Sequence, residues 1–149
     1  MPRSPACIDA NIVVKMVAPE ADRPQALALW DGLLREGVNC VAPHLFRFEV
    51  TSALWRKVMR GFLTATEARE ALETALRMGV EFLDPPDLSL HAFDLAVKFN
   101  LPAAYDAHYL ALAEALDCEF WTADERLFRT IRDDFTRVRW LGDHRAKGQ

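Results

Sequence analysis

The feature that most constrains the fold of this chain is a helical segment followed directly by a short apolar run, because each carries an acidic residue at one end. The pattern predicts a helix over residues 105–116 with Asp106 in its first turn, and a short buried strand within residues 119–124 with Asp124 just past its end. In open parallel α/β sheets, ligands bind at the carboxyl ends of the strands. We therefore expect Asp106 and Asp124 to lie at the same edge of such a sheet.

Short apolar runs alternate with helical segments along the rest of the chain. The predicted strands are Ala6–Ile8, Cys40–Ala42, Val80–Leu83, Phe120–Trp121 and Val138–Trp140. Alternation of this kind predicts an α/β fold in which helices cover both faces of a parallel sheet, with right-handed crossovers.

Length and composition predict one ordinary globular domain. The chain has 149 residues, of which 51% are hydrophobic and 27% are charged. We expect a single domain over 1–149, with its core over about 6–141 and a loose tail over 142–149. Its three cysteines form no CxxC pair, which favours reduced thiols and a cytoplasmic protein. No apolar run approaches the ~20 residues that span a bilayer, so no membrane partner is expected.

Charge is distributed unevenly around a net value of −4. Residues 61–119 hold 11 acids and 3 bases, whereas residues 120–149 hold 7 bases and 5 acids. Any basic surface is therefore expected from the two ends of the chain rather than from its middle.

Two more acids can reach the same sheet edge. Asp9 directly follows the first predicted strand, and Glu49 lies on the apolar stripe of a predicted helix over 44–60, three residues after Phe46. A charge on such a stripe is costly unless it is paired or bound to a metal. Glu49 is therefore the acid that is hardest to explain by structure alone.

Each aspartate also has a purely structural interpretation. Asp9 and Asp124 could cap the helices that follow them, and Asp106 could interact with the dipole of its own helix. The joint pattern favours chemistry, because four carboxylates at one edge would repel each other and raise some pKa values. Oxygen ligands of this kind suit hard cations such as Mg²⁺ or Mn²⁺. The sequence thus predicts a divalent metal site.

Other site chemistries fit less well. The chain contains no GxGxxG, P-loop, GxSxG or HExxH motif. His108 lies two residues after Asp106, a helical spacing that points the two side chains in different directions. A receiver-like signalling domain stays open as an alternative, although it would need adjacent acids after the first strand and a lysine after a later one. Here only Asp9 follows the first strand, and Lys98 lies within a helix.

Two local expectations concern helix ends and helix faces. Asn11 is predicted to cap a short helix over 12–17. A helix over 89–99 is predicted to pack on the core through Ala92, Phe93, Ala96 and Val97.

Four segments together resemble the PIN domain family, and within it the VapC-like ribonuclease toxins of prokaryotic toxin–antitoxin pairs. These segments are Cys7–Asn11, Leu45–Val50, Tyr105–Ala113 and Thr122–Leu127. The resemblance covers about residues 6–141. It implies a three-layer α/β/α sandwich with a central five-stranded parallel sheet, and a Mg²⁺- or Mn²⁺-dependent endoribonuclease.

The resemblance also implies roles for individual residues and partners. Metal binding and catalysis would fall to Asp9, Glu49, Asp106 and Asp124, with supporting positions at Thr122, Asn11 and Ser52. The implied partners are an RNA substrate, a cognate antitoxin and a second copy of the chain. Among the basic residues, Arg126 is the first candidate for contact with RNA. Two alternatives stay open: a PIN nuclease of RNA processing without an antitoxin, and a catalytically silent scaffold.

Overall fold

A computed structural model describes residues 3–144 of the chain. The strands are β1 Ala6–Ile8, β2 Cys40–Ala42, β3 Glu81–Phe82, β4 Glu119–Thr122 and β5 Val138–Trp140. The helices are α1 Ala10–Val17, α2 Arg23–Arg35, α3 Leu45–Met59, α4 Ala65–Leu76, α5 Leu88–Phe99, α6 Tyr105–Ala115 and α7 Glu125–Ile131. A short 3₁₀ helix, Leu141–Asp143, follows β5.

The five strands form one parallel sheet in the order β3-β2-β1-β4-β5. The chain moves outward from β1 to β3 in one direction and returns to add β4 and β5 on the other side. Right-handed crossovers therefore put α1–α4 on one face and α5–α7 on the other, which confirms the predicted α/β/α sandwich. The direction of travel reverses between β1 and β4, and this switch point is where such sheets bind ligands.

The sheet is short, and its strands β1 and β2 are wholly apolar. The side chains of Cys7, Ile8 and Phe120 are fully buried, as parallel strands covered on both faces require. The fully buried Tyr109 on α6 packs its ring against Phe120, with 5.7 Å between ring centroids. Within residues 3–144, no helix combines the length and apolar character needed to cross a lipid bilayer.

Helix starts follow from side-chain caps. Thr64 and Glu67 form the reciprocal capping box of α4 that the sequence contains. Asp9 caps α1 by accepting a hydrogen bond from the backbone N–H of Asn11. The prediction that Asn11 is the cap was wrong, because α1 begins two residues earlier than expected and Asp9 holds the extended backbone that a cap requires.

The predicted core face of α5 was also partly wrong. Ala92 is buried as expected, but Phe93 and Val97 are exposed and Leu88 and Leu95 are buried in their place. Apolar residues cover more than one side of this helix, so periodicity did not identify the packed face.

Two boundary predictions need correction as well. The third strand is confined to Glu81–Phe82, shorter than the predicted 80–83. In the predicted tail, residues 142–143 belong to the 3₁₀ helix, and residues 145–149 lie outside the described part of the chain.

Candidate active site

The acidic site begins at the end of β1, where the chain leaves the sheet beside β4. The backbone N–H of Asp9 donates to the Trp121 carbonyl at 2.9 Å, so this residue still belongs to the ladder between the strands. Its side chain is only 4% exposed. The carboxylate therefore lies at the topological switch point, and one of its oxygens accepts from the backbone N–H of Asn11.

A hydrogen-bond network at the ends of β1 and β4 fixes this carboxylate. The buried hydroxyl of Thr122 donates to Oδ2 of Asp9 at 2.9 Å. The Thr122 hydroxyl oxygen in turn accepts from Nδ2 of Asn11 at 3.3 Å and from the backbone N–H of Asp124 at 3.0 Å. One donated and two accepted bonds exhaust what a hydroxyl can make. Thr122 is thus the node that joins the two strand ends.

Asn11 closes the network from the other side. Its Oδ1 accepts from the backbone N–H of Ala123 at 3.0 Å, so the first turn of α1 is tied to the segment after β4. Asp124 itself caps α7, with Oδ1 accepting from the Leu127 N–H at 3.1 Å. Asp9 and Asp124 are therefore both helix caps and members of the acidic site, so the two interpretations of these residues are compatible.

Glu49 comes from the other wall, the first half of α3. Its Oε1 accepts a 2.7 Å hydrogen bond from the hydroxyl of Tyr109, a buried residue of α6. A buried phenol needs a partner, and a carboxylate is a strong acceptor. The bond leaves Oε2 of Glu49 without a protein partner among the described residues.

Two adjoining cavities hold the acids. Asp9, Glu49 and Asp106 line a cavity of about 210 Å³, together with Arg56. A second cavity, of about 580 Å³, is lined by Asp106 and by Asp124 and Arg126 of the segment after β4. Asp106 faces both, because it stands in the first turn of α6 between the two.

The acids of the site raise one another's pKa values. Burial raises the pKa of Asp9 well above its usual range, and the charges of Asp106 and Glu49 raise it further, against the hydrogen bonds from Thr122 and Asn11. Burial, with Glu49 and Asp124 nearby, raises the pKa of Asp106 to about 6.

The pKa of Glu49 is also raised, with burial as the cause. The Tyr109 hydrogen bond is the largest of the effects that oppose this rise. Unlike a structural ion pair, this set of acids destabilises its own charged form.

Carboxylate oxygens that repel each other in a shared cavity are the donor set that a hard divalent cation neutralises. Within the described residues, no three His, Cys, Asp or Glu side chains are already close enough together to form a cation site. The donor chemistry of these carboxylates fits Mg²⁺ or Mn²⁺.

The remaining predicted residues divide into those at the site and those away from it. Arg126 is on the wall of the larger cavity. Ser52 is exposed, and its hydroxyl accepts from Arg56 at 3.1 Å rather than contacting an acid. His108 hydrogen-bonds the Ala104 carbonyl and Ser89 and none of the acids, in line with the helical spacing.

Sequence reasoning missed Tyr109, and also Lys15 and Glu20, which line the smaller cavity with the acids. Tyr109 lies three residues after Asp106, which puts the two side chains on one helix face, so the spacing could have identified it. Arg56 stands seven residues after Glu49, two turns along the same face of α3, and its guanidinium contacts only the neutral Ser52 among the described residues.

Comparison with known proteins agrees with this geometry. Residues 6–133 match the model of the PIN domain. The chain is 38% identical over 118 residues to the VapC ribonuclease Mb0985 of Mycobacterium bovis, an alignment that covers 77% of this chain and 91% of that protein. This match decides against the receiver-like alternative.

Solved structures share the fold. The crystal structure of PAE2754 from Pyrobaculum aerophilum superposes with a TM-score of 0.64 at 24% identity, covering 85% of this chain and 78% of that one. A toxin–antitoxin complex from Klebsiella pneumoniae gives a TM-score of 0.59 at 19% identity, covering 91% and 97%. With its sheet order, its acids at the switch point and a family match over most of its length, the chain belongs to the PIN domain family.

Proposed function

We propose that this protein is a divalent-metal-dependent endoribonuclease and the toxin of a toxin–antitoxin pair. The observation that carries the proposal is the juxtaposition of Asp9, Glu49 and Asp106 in one small cavity at the switch point, with Asp124 on the adjoining cavity. Support comes from a relative named a VapC ribonuclease that aligns over most of both chains.

Asp9, Asp106 and Asp124 are the residues that would hold Mg²⁺ or Mn²⁺. When bound, the ion would lower the pKa of a water molecule and offset negative charge that builds on the phosphate. Thr122 and Asn11 hold the Asp9 carboxylate and the segment after β4 in place. Rigid support of this kind keeps ligand oxygens oriented.

Glu49 is the candidate proton acceptor. Tyr109 occupies one of its carboxylate oxygens and fixes its orientation, and the other is free to accept a hydrogen bond from the attacking water. A carboxylate with a raised pKa is a stronger base than an ordinary one, which suits removal of a proton near neutral pH.

RNA would enter across both cavities. Arg126 lines the larger one beside Asp106 and Asp124, where a guanidinium can neutralise a phosphate that approaches the acids. Single-stranded segments are the plausible substrate, because their backbone can be drawn into a cavity of this size.

Two protein partners are part of the proposal. A homologous fold occurs in a toxin–antitoxin complex, and the end of α3 here exposes Trp55, Met59 and then Phe62, an apolar surface that an antitoxin could cover. A homodimer is supported by Phe93 and Val97, which are four residues apart on α5 and exposed. Light scattering of the wild type and of Phe93→Glu would test the dimer; equal masses would contradict this surface.

Cleavage of a mixed RNA pool by the purified protein tests the function. We expect cleavage with Mg²⁺ or Mn²⁺ and none with EDTA. Asp106→Asn should lose activity, whereas Asp94→Asn, a matched change on an acid that lines neither acidic cavity, should retain it.

Three other results would each change the proposal. Absence of cleavage by folded, inhibitor-free wild type would favour the silent scaffold. Equal activity of the two variants would remove the acids from the mechanism. Cleavage in a protein with no antitoxin partner would favour an RNA-processing nuclease.

A further inference from the structure

A third cavity lies beside the acids, at the carboxyl ends of β2 and β3, and no step proposed above uses it. Its volume is about 460 Å³, and it lies among the loops after these strands, the first turns of α3 and α5, and α6. The residues that give it chemical character are His44, Phe48, Asp84, Asp87, Ser89 and His108.

The third cavity is continuous in sequence with the acidic site. Phe48 directly precedes Glu49 on α3, and His108 follows Asp106 by two residues on α6. Two of its walls are therefore built by the same helix turns that carry catalytic acids. A molecule that occupied this cavity would contact the same turns of α3 and α6 that carry Glu49 and Asp106.

Phe48 gives the third cavity an aromatic surface. Its side chain is 67% exposed, although it belongs to a helix whose other face is packed in the core. Proteins that bind single-stranded nucleic acid commonly stack bases on exposed aromatic rings. Pro43 and Leu90 extend the apolar part of the wall.

The polar wall of the third cavity offers hydrogen-bond acceptors. Nδ1 of His108 must donate to the Ala104 carbonyl, 2.8 Å away, because a carbonyl only accepts. In the neutral imidazole, Nε2 then accepts the hydroxyl hydrogen of Ser89 at 3.1 Å. The Ser89 oxygen therefore keeps its lone pairs available to a ligand.

Asp87 adds a carboxylate that its own helix does not use. It occupies the N-cap position of α5, where an aspartate ordinarily binds a helix N–H, yet its side chain makes no capping hydrogen bond. Its backbone is left-handed, with φ of 63°, a strained conformation that is often found at binding sites. Asp84, by contrast, is engaged by the backbone N–H of His44 at 3.0 Å.

These walls select the chemistry of the occupant. The carboxylate of Asp87 repels a phosphate, whereas the exposed ring of Phe48 favours a flat, uncharged group. Asp84 instead lies beside the His44 imidazole, with 3.3 Å between Oδ2 and Nδ1. Free acceptors on Asp87 and Ser89 require a ligand that donates N–H groups. A nucleobase with an exocyclic amino group meets all three conditions.

We propose that the third cavity binds one base of a single-stranded RNA immediately beside the scissile phosphate, stacked on Phe48 and donating its amino group to Asp87 and Ser89. The inference rests on the proposed ribonuclease function and adds a specificity determinant to it. Adenine, cytosine or guanine fits at this position, and uracil, which lacks an amino group, does not.

Sequencing of cleavage sites from a random RNA pool tests the inference. The wild type should show depletion of uracil at one position next to the cut. Phe48→Ala should lose that preference and reduce kcat/KM by about fivefold or more. Asp87→Asn should admit uracil, because an amide can donate to its carbonyl groups. Leu34→Ala, a change at an exposed apolar residue of α2 that lines none of the three cavities, should leave both quantities unchanged.

The outcomes separate this inference from the proposed function. If the wild type cleaves RNA and Phe48→Ala shows the same base preference at its cleavage sites, the proposed base pocket is wrong, whereas the proposed ribonuclease function is retained. If Phe48→Ala instead changes only the mass measured by light scattering, this surface is a contact between copies and the base pocket is again wrong. If folded wild type cleaves no RNA, both proposals fail together.

Discussion

At the scale of single residues, the site depends on side chains that hold the acids as much as on the acids themselves. Tyr109 is the clearest case, because its only polar atom is bonded to Glu49 and the rest of its ring is packed in the core. That bond favours the charged carboxylate and so limits the rise of its pKa. The hydroxyl of Tyr109 thus influences the pKa of Glu49, the proposed proton acceptor, while its ring contributes to the core.

Tyr109→Phe should retain the packing and remove this bond. The pKa of Glu49 should rise, so the acid side of the pH–activity profile should move to higher pH. Activity at pH 7 should fall by about tenfold. The control is Tyr105→Phe, an exposed tyrosine of the same helix. An unchanged pH profile for Tyr109→Phe would contradict the role of the bond.

Arg126→Ala tests whether this guanidinium contacts an RNA phosphate. Binding of a single-stranded RNA without divalent ions should weaken, and the slope of log affinity against log salt should fall by about 0.7 for one lost contact. Arg129→Ala is the matched control, because Arg129 is paired with Glu125 on the same helix. Equal slopes for the two variants would show that Arg126 contacts RNA phosphate no more than Arg129 does.

At the scale of elements, the sequence predicted positions better than faces. The strands that end shortly before Asp9 and Asp124 were predictable because a charged side chain interrupts the apolar run of a buried strand. The exposed side of α5 was not, because Phe93 and Val97 are as apolar as the residues that pack. Hydrophobicity alone does not distinguish an apolar residue that packs in the core from one on an exposed apolar surface of the kind that binds partners.

The capping box of α4 is an element that the sequence predicts completely, and its removal should act on stability alone. Thr64→Ala removes the cap that accepts from the Glu67 N–H at 3.1 Å. The free energy of unfolding should fall by about 1 kcal/mol. Thr66→Ala, inside the same first turn, should change it by less than about 0.5 kcal/mol. Loss of RNA cleavage in Thr64→Ala would mean that α4 contributes to the site.

At the scale of the whole molecule, the sheet order decides which acids meet, and this order was not readable from residue patterns. Alternating strands and helices allow several parallel orders, and the observed one puts β1 beside β4 and makes Asp9 a neighbour of Thr122 and Asp124. The resemblance to a family implied a five-stranded parallel sheet and one site for the four acids, but not the order of the strands. Long-range pairing therefore determines the site even though its residues were individually recognisable.

The acids should make the metal-free protein more stable at mildly acidic pH. The pKa of Asp106 is about 6 in the fold, above the value of about 3.9 in an unfolded chain. Between these two pKa values the folded protein binds more protons than the unfolded chain, so the free energy of unfolding decreases as pH rises from about 4 to about 6. The same free energy is regained when pH falls through this range.

Urea unfolding in EDTA should show this gain between pH 7.5 and pH 5. Saturating Mn²⁺ should stabilise the protein more at pH 7.5 than at pH 5, because protonated carboxylates bind metal poorly. A metal-free protein that is less stable at pH 5 would contradict the assigned repulsion.

The most direct test of the acidic centre measures stability and cleavage on Asp106→Asn in the same preparation. At pH 7.5 without metal, the variant should be more stable than the wild type, because a repelling charge has been removed from the site. With Mn²⁺, its RNA cleavage should fall by about a thousandfold or more. Greater stability with lost activity would identify a carboxylate kept for chemistry. A less stable variant that still cleaves RNA would mean that Asp106 supports the fold and that the active site lies elsewhere.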